Sequence, residues 1–196
     1  MEKKVSNKET IFREAARLFS EKGYERTSMR AIAEAAGVSK PAIYYYFPNK
    51  DALFEEMLAA TQEQVQETLD KIKNSSLGAA EKLTEIAVSR FTMYLEYPEL
   101  SKFLTDIEVW NIKKKIMQNF LKKHHGIHTS VNDIVAEGIA TGLFRSELDP
   151  AVAATMFLGG LNMYMVTHIK TGQGEMTATK AREFVTTIVD GIKSSQ

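Results

Sequence analysis

The sequence predicts an all-α fold: an N-terminal three-helix domain containing a helix-turn-helix, followed by a larger helical domain. Three observations predict it. Apolar residues recur at three- and four-residue spacing along most of the chain. Only four prolines and eleven glycines punctuate 196 residues, which favours long helices over a turn-rich β fold. Near the N-terminus, two short helical segments meet at a glycine after a longer segment.

Taken in order, the first helix runs from Lys8 to Lys22. Ile11, Ala15 and Leu18 share a face with Phe12, Ala16 and Phe19. Gly23 stops it, because glycine readily takes the left-handed conformation after a helix. Thr27 or Ser28 caps the second helix, Met29 to about Ala36, which turns Ile32 and Ala33 inward. Gly37 allows the sharp turn. Ser39 caps the third helix, Lys40 to about Tyr46, with Pro41 in the first turn, where a missing N–H is harmless. A fourth helix starts at Asn49 and runs to about Lys73. The domain boundary is placed at residue 50, giving domains 1–50 and 51–196.

In such a motif Val38 and Ile43 bury the second short helix and free its N-terminal end for a DNA major groove. Ser39, Lys40, Pro41 and Ala42, then Tyr44, Tyr45 and Tyr46, form the exposed stretch. Hydroxyls and an ammonium suit phosphates and base edges, and the small Ala42 suits a thymine methyl. A seven-residue helix cannot bury 43 to 47 together, so Tyr44 and Tyr45 face outward, whereas Tyr24 packs inward.

The run Phe19, Gly23-Tyr24, Thr27-Ser28, Ile32-Ala33, Ala36-Gly37-Val38-Ser39-Lys40, Ile43-Tyr44-Tyr45-Tyr46-Phe47, Lys50 and Leu53-Phe54 resembles the DNA-binding domain of TetR-type bacterial transcriptional regulators. The resemblance covers roughly residues 8–55. It implies that Thr27 and Ser28 cap the second helix and touch phosphate. It also implies that Lys40, Ala42, Tyr44 and Tyr45 face DNA, and that Tyr46 and Lys50 reach phosphate. The partner it implies is a double-stranded DNA operator.

Charge agrees with this division. The formal net charge is zero, yet residues 1–50 hold ten bases and six acids, a sum of +4, leaving −4 on the remainder. A basic segment of this kind suits nucleic acid, although a solvated helix face has the same composition.

The remainder carries no comparable motif. Ser75-Ser76-Leu77-Gly78 breaks the chain. Ala79 to about Tyr97 is helical, and its stripe of Leu83, Ile86, Ala87, Phe91, Tyr94 and Leu95 includes one base, Arg90. Pro98 interrupts. Leu100, Phe103, Leu104 and Ile107 make another apolar face, and a further helix is expected from Ile112 to about Thr141, closed by Gly142. Asp149 and Pro150 start the next helix.

From Pro150 to Ile169 no residue is charged, and the length approaches that of a membrane span. Thr155, Gly159, Gly160, Asn162, Thr167 and His168 lower its apolarity, and no basic flank precedes it, so no membrane contact is expected. A helix apolar all round is buried on all sides. One side belongs on its own subunit and the other on a second copy, with Gly159 and Gly160 allowing close approach. The last helix, Met176 to Lys193, carries Ala181, Phe184, Val185, Ile188, Val189 and Ile192. Helices 150–170 and 176–193 together are expected to form a homodimer interface. Two recognition helices about 34 Å apart would read a palindrome.

Aromatic and methionine residues crowd this domain. The resemblance implies a small-molecule effector, apolar or amphipathic, in a cavity between helices. Its expected lining is Phe91, Tyr94, Phe103, Trp110, Phe120, Phe157 and Tyr164, although core packing would use the same residues.

Other chemistries find little support. Zero cysteines exclude disulfides, thiolate metal sites and thiol-based sensing. His124 and His128 have i, i+4 spacing, but two ligands beside Gly126 are too few for a metal site. His168 is read as a polar group of an interface or pocket. No catalytic motif occurs, so neither enzymatic activity nor a cofactor is expected. The polar start carries no signal peptide, and the expected compartment is the cytoplasm. The expected function is a ligand-released, DNA-binding repressor. The alternative is a helical ligand- or partner-binding protein without DNA function.

Overall fold

The computed structural model describes residues 7–104, 114, 116, 118 and 125–193. Among them the regular elements are helices: α1 (Asn7–Lys22), α2 (Met29–Ala35), α3 (Lys40–Tyr46), α4 (Lys50–Lys73), α5 (Ala79–Glu96), α6 (Pro98–Leu104), α7 (His125–Ala140), α8 (Pro150–Thr171) and α9 (Ala178–Ile192). The all-α expectation holds. The helix expected from Ile112 is described continuously only from His125.

Packing groups the described residues into two compact units. One draws on 1–62 and 97–120, the other on 63–96 and 121–196. The division thus falls later than residue 50, because the first turns of α4 bury Leu53, Phe54, Met57 and Leu58 in the first unit's core. Phe103 of α6 joins that same core.

In the first unit, α1 buries Ile11, Ala15, Ala16, Leu18 and Phe19. Gly23 ends it at φ +82°. Ser28 caps α2 by accepting from the Ala31 N–H at 3.1 Å. Gly37, at φ +66°, makes the turn, and the Val38 N–H returns to the Ala33 carbonyl at 3.0 Å. Ser39 caps α3 through the Ala42 N–H at 3.2 Å. Both serines satisfy N–H groups that a short helix leaves unpaired. Rings fill the centre. Phe19 stacks on Phe103 at 5.1 Å, and Phe54 meets Phe103 edge-on at 5.3 Å. Offset and edge-on pairs of this kind place positive ring edges against negative faces.

In the second unit, Leu83, Ile86, Ala87 and Phe91 of α5 pack in one core with Val131, Ile134 and Val135 of α7. Phe157 and Leu161 of α8 and Val185 and Val189 of α9 complete it. Gly138 is required by close packing: a Cβ there would collide with the Phe144 ring and lie 3.1 Å from the Ala79 Cβ. Lys82 is buried and pairs with Glu137 at 2.8 Å. Asp149 caps α8 through the Ala151 N–H at 2.8 Å, and Gly172 closes it at φ +69°.

Helix α8 is long and apolar enough to span a membrane by length and composition. Here Ala154, Phe157, Leu161 and Met165 seat it on its own unit, while Val152, Met156 and Met163 stay exposed. Gly160 is used within the chain: its missing Cβ leaves room for the Phe184 ring, 3.3 Å from where that Cβ would stand. Gly159 faces open space.

Candidate functional site

The candidate DNA-reading surface is the outer face of α3. Ile43 and Phe47 are fully buried and hold the helix by one side. The opposite side is left to Lys40 and Pro41, which are exposed, with Ala42 partly so. Tyr45 is 85% exposed, flanked by Tyr44 and Tyr46 at 43% and 41%. A ring held so far out in water adds nothing to the core of its own chain. Tyr45 and Tyr46 brace each other edge-on at 5.5 Å. Ser39 and Ser28 are exposed, each with its oxygen turned to its own helix's N–H groups.

Two residues read as phosphate contacts are placed otherwise. Thr27 is buried, and its hydroxyl lies 3.1 Å from the Leu18 carbonyl and 2.9 Å from that of Gly23. It ties the turn after α1 and neither caps α2 nor reaches outward. Lys50 donates to the carbonyls of Tyr24 at 2.6 Å and Thr27 at 2.9 Å, with that of Glu25 at 3.3 Å. Its ammonium also sits 4.3 Å from the centre of the Tyr24 ring. Three donors on three carbonyls make Lys50 a strut under the α1–α2 turn, in place of the phosphate clamp expected. Tyr24 completes the strut by donating its hydroxyl to Asp51. Burial, then that bond, pushes the phenol's pKa above its ordinary value.

The second unit holds a cleft of about 320 Å³. Its walls are the second half of α4, with Val65, Leu69 and Ile72, and the face of α5 carrying Ile86, Arg90 and Met93; Ile127 of α7 also lines it. The expected aromatic lining lies elsewhere. Phe91 stacks on Tyr164 at 5.5 Å, Tyr94 meets His168 edge-on at 5.5 Å, and Phe157 packs near Phe184 at 6.4 Å. Phe91 and Tyr94 are core because α5 turns positions 91 and 94 away from the cleft face; Phe157 of α8 is buried in the same core, and Tyr164 packs against it partly buried. Phe103 belongs to the first unit's core. Trp110 and Phe120 lie outside the described residues, as does His124. His168 Nδ1 lies 3.2 Å from the Gln173 carbonyl and 3.1 Å from that of Gly174. Carbonyls only accept, so Nδ1 carries the proton and closes the α8–α9 loop.

Sequence reading missed Arg90 as a site residue, although its signal was present: a base within an apolar helical stripe. Its neighbours at three and four residues are Ile86, Ala87, Met93 and Tyr94, so no acid on its own helix can meet it.

Comparison with known proteins agrees with the all-α, helix-turn-helix fold. Residues 11–57 match the family described as bacterial regulatory proteins, tetR family. Residues 76–191 match the tetracyclin repressor-like C-terminal domain. The HTH-type transcriptional repressor KstR2 of Mycolicibacterium smegmatis is 24% identical, over 98% of this chain and 93% of its own. The fatty acid degradation regulator FadR of Bacillus halodurans superposes with a TM-score of 0.83 at 21% identity, covering 99% of this chain and 100% of that one. FadR of Bacillus subtilis, solved in complex with stearoyl-CoA, gives 0.75 at 23% identity, covering 93% and 98%.

Proposed function

This chain belongs to the TetR family of bacterial regulatory proteins and is a DNA-binding transcriptional regulator, and from that premise we propose that it is a homodimeric repressor released from a palindromic operator by an amphipathic, mostly apolar small molecule. The observation that carries the reading is the row of exposed tyrosines on a helix capped by Ser39 and anchored by Ile43 and Phe47. Lys40, Ala42, Tyr44 and Tyr45 read the major groove. Tyr46 and Ser28 meet the backbone beside it.

Dimerisation is supported by the bare apolar residues Val152, Met156 and Met163 on α8. In a second copy the same residues would cover them, as two-fold symmetry requires. An effector that binds better to a conformer with altered spacing of the two reading heads lowers operator affinity by the ratio of its affinities for the two conformers. Helix α4 contributes to both units and is the lever in this reading. The stearoyl-CoA bound by the Bacillus subtilis protein supports an effector with a long apolar part. In this reading the protein works in the cytoplasm, where its operator would be. The family is one of regulators and not of enzymes.

The test is fluorescence anisotropy on DNA from upstream of the protein's own gene. Wild type binds, with affinity falling as salt rises. Tyr44→Ala with Tyr45→Ala binds at least about tenfold more weakly and remains dimeric by light scattering. Equal binding by the double variant would overturn the assignment of the reading face. A helical binding protein without DNA function would bind in neither form.

A further inference from the structure

We propose that Arg90 is the anchor for an anionic head group, so that the cleft between α4 and α5 takes a ligand with an apolar chain ending in a carboxylate or phosphate. The proposal rests on the ligand-responsive reading above and names the chemistry of its effector site.

The cleft has two chemistries. Val65, Leu69, Ile72, Ile86, Met93 and Ile127 give it an apolar wall, and Arg90 opens onto it. Several cations of the fold have a counter-charge close by. Arg17 lies between Glu14 and Glu21, Arg30 meets Glu34, and Lys82 meets Glu137. Arg90 has no such partner among the described residues. Of the two acids lining the cleft, Glu85 lies 3.8 Å from Arg182 and is thereby engaged. Glu96 stands six positions along α5, beyond the reach of intrahelical pairing. Arg90 is partly exposed, and the surrounding protein atoms that desolvate part of the guanidinium lower its pKa, yet an arginine does not lose its proton in a protein. A desolvated cation without a partner is unfavourable by itself. It becomes favourable when a ligand brings the charge, and a planar fork of donors suits a carboxylate or phosphate oxygen pair.

A free acyl carboxylate and a nucleotide thioester both supply an anion on an apolar chain, so the test separates them. Calorimetric titration of the full-length dimer would use decanoate, decyl phosphate, decanoyl-CoA and decanol. At least one anionic probe should bind about tenfold or more tighter than decanol. Decanoate above decanoyl-CoA identifies a free carboxylate, and the reverse order a phosphate-bearing head.

Arg90→Met should erase the preference for the anion while keeping the affinity for decanol, and Arg90→Lys should retain part of it. Arg90→Met removes a desolvated charge, so its Tm should not fall, and the anion should raise Tm only in wild type. Equal binding of anion and alcohol, unchanged binding by Arg90→Met, or no binding of any probe would overturn the proposal. Binding through Arg90 without release of DNA would leave the site standing and overturn the effector-release reading instead.

Discussion

The two units solve the same problem, stabilising helices, by different means. In the first, α2 and α3 have seven residues each and are too short to persist alone. Each is started by a serine that accepts from its own backbone, α2 is followed by the Gly37 turn, and the unit's centre is a cluster of aromatic rings. In the second, α8 has 22 residues and α9 has 15, and the core mixes aliphatic side chains with rings placed between long helices. Short helices need explicit start and stop chemistry, which is local. Long helices draw their stability from a buried face, which depends on what lies opposite.

The comparison can be broken in five places. The largest effect is expected for Phe54→Ala. It removes the ring that joins α4 to Phe19 and Phe103, and should lower stability by about 3–5 kcal/mol in urea unfolding. A loss below 1 kcal/mol would mean that the aromatic cluster is dispensable.

Next comes Lys50→Met, which strands the carbonyls of Tyr24 and Thr27 and should lower stability by about 2 kcal/mol. A phosphate clamp would lose DNA affinity with unchanged stability, so unfolding and anisotropy together separate the two roles.

Ser39→Ala and Gly37→Ala test the local signals. The first loses the α3 cap, the second forces a Cβ into the left-handed region, and each should lower stability by about 1 kcal/mol. No atom lies within 4 Å of a Cβ at Gly37, so its effect is backbone strain alone. If thermal unfolding leaves both unchanged, the unit is held by its core and not by its turns.

The smallest effect on stability belongs to Tyr45→Ala, within about 0.5 kcal/mol because the ring is exposed. Its signature is separate: operator affinity should fall about tenfold while the melting temperature holds.

Legibility followed the same division. Gly23, Ser28, Gly37 and Ser39 were readable because each acts within four residues of itself. The outward turn of Tyr44 and Tyr45 followed from the limited girth of a short helix. The carbonyl bonds of Thr27 and Lys50 were not foreseen, since a threonine and a lysine near helix ends suit a phosphate as well as a carbonyl. Only the fold brings Leu18, Tyr24 and Thr27 around them. The aromatic residues of the body suggested a pocket, and Phe91, Tyr94 and Phe157 are core instead. Composition cannot tell a ring that faces a cavity from one that faces another ring.

The sequence by itself determined the helical class, the turn chemistry of the reading head and the segregation of basic from acidic surface. Periodicity, capping and charge are properties of neighbours along the chain. The tertiary structure decided that Phe103 completes the first unit's core, that Lys50 holds the carbonyls of Tyr24 and Thr27, and that Arg90 opens onto a cleft with no ion-pair partner among the described residues. Each of these depends on residues distant in sequence, and burial, pairing and desolvation exist only once the chain has brought them together.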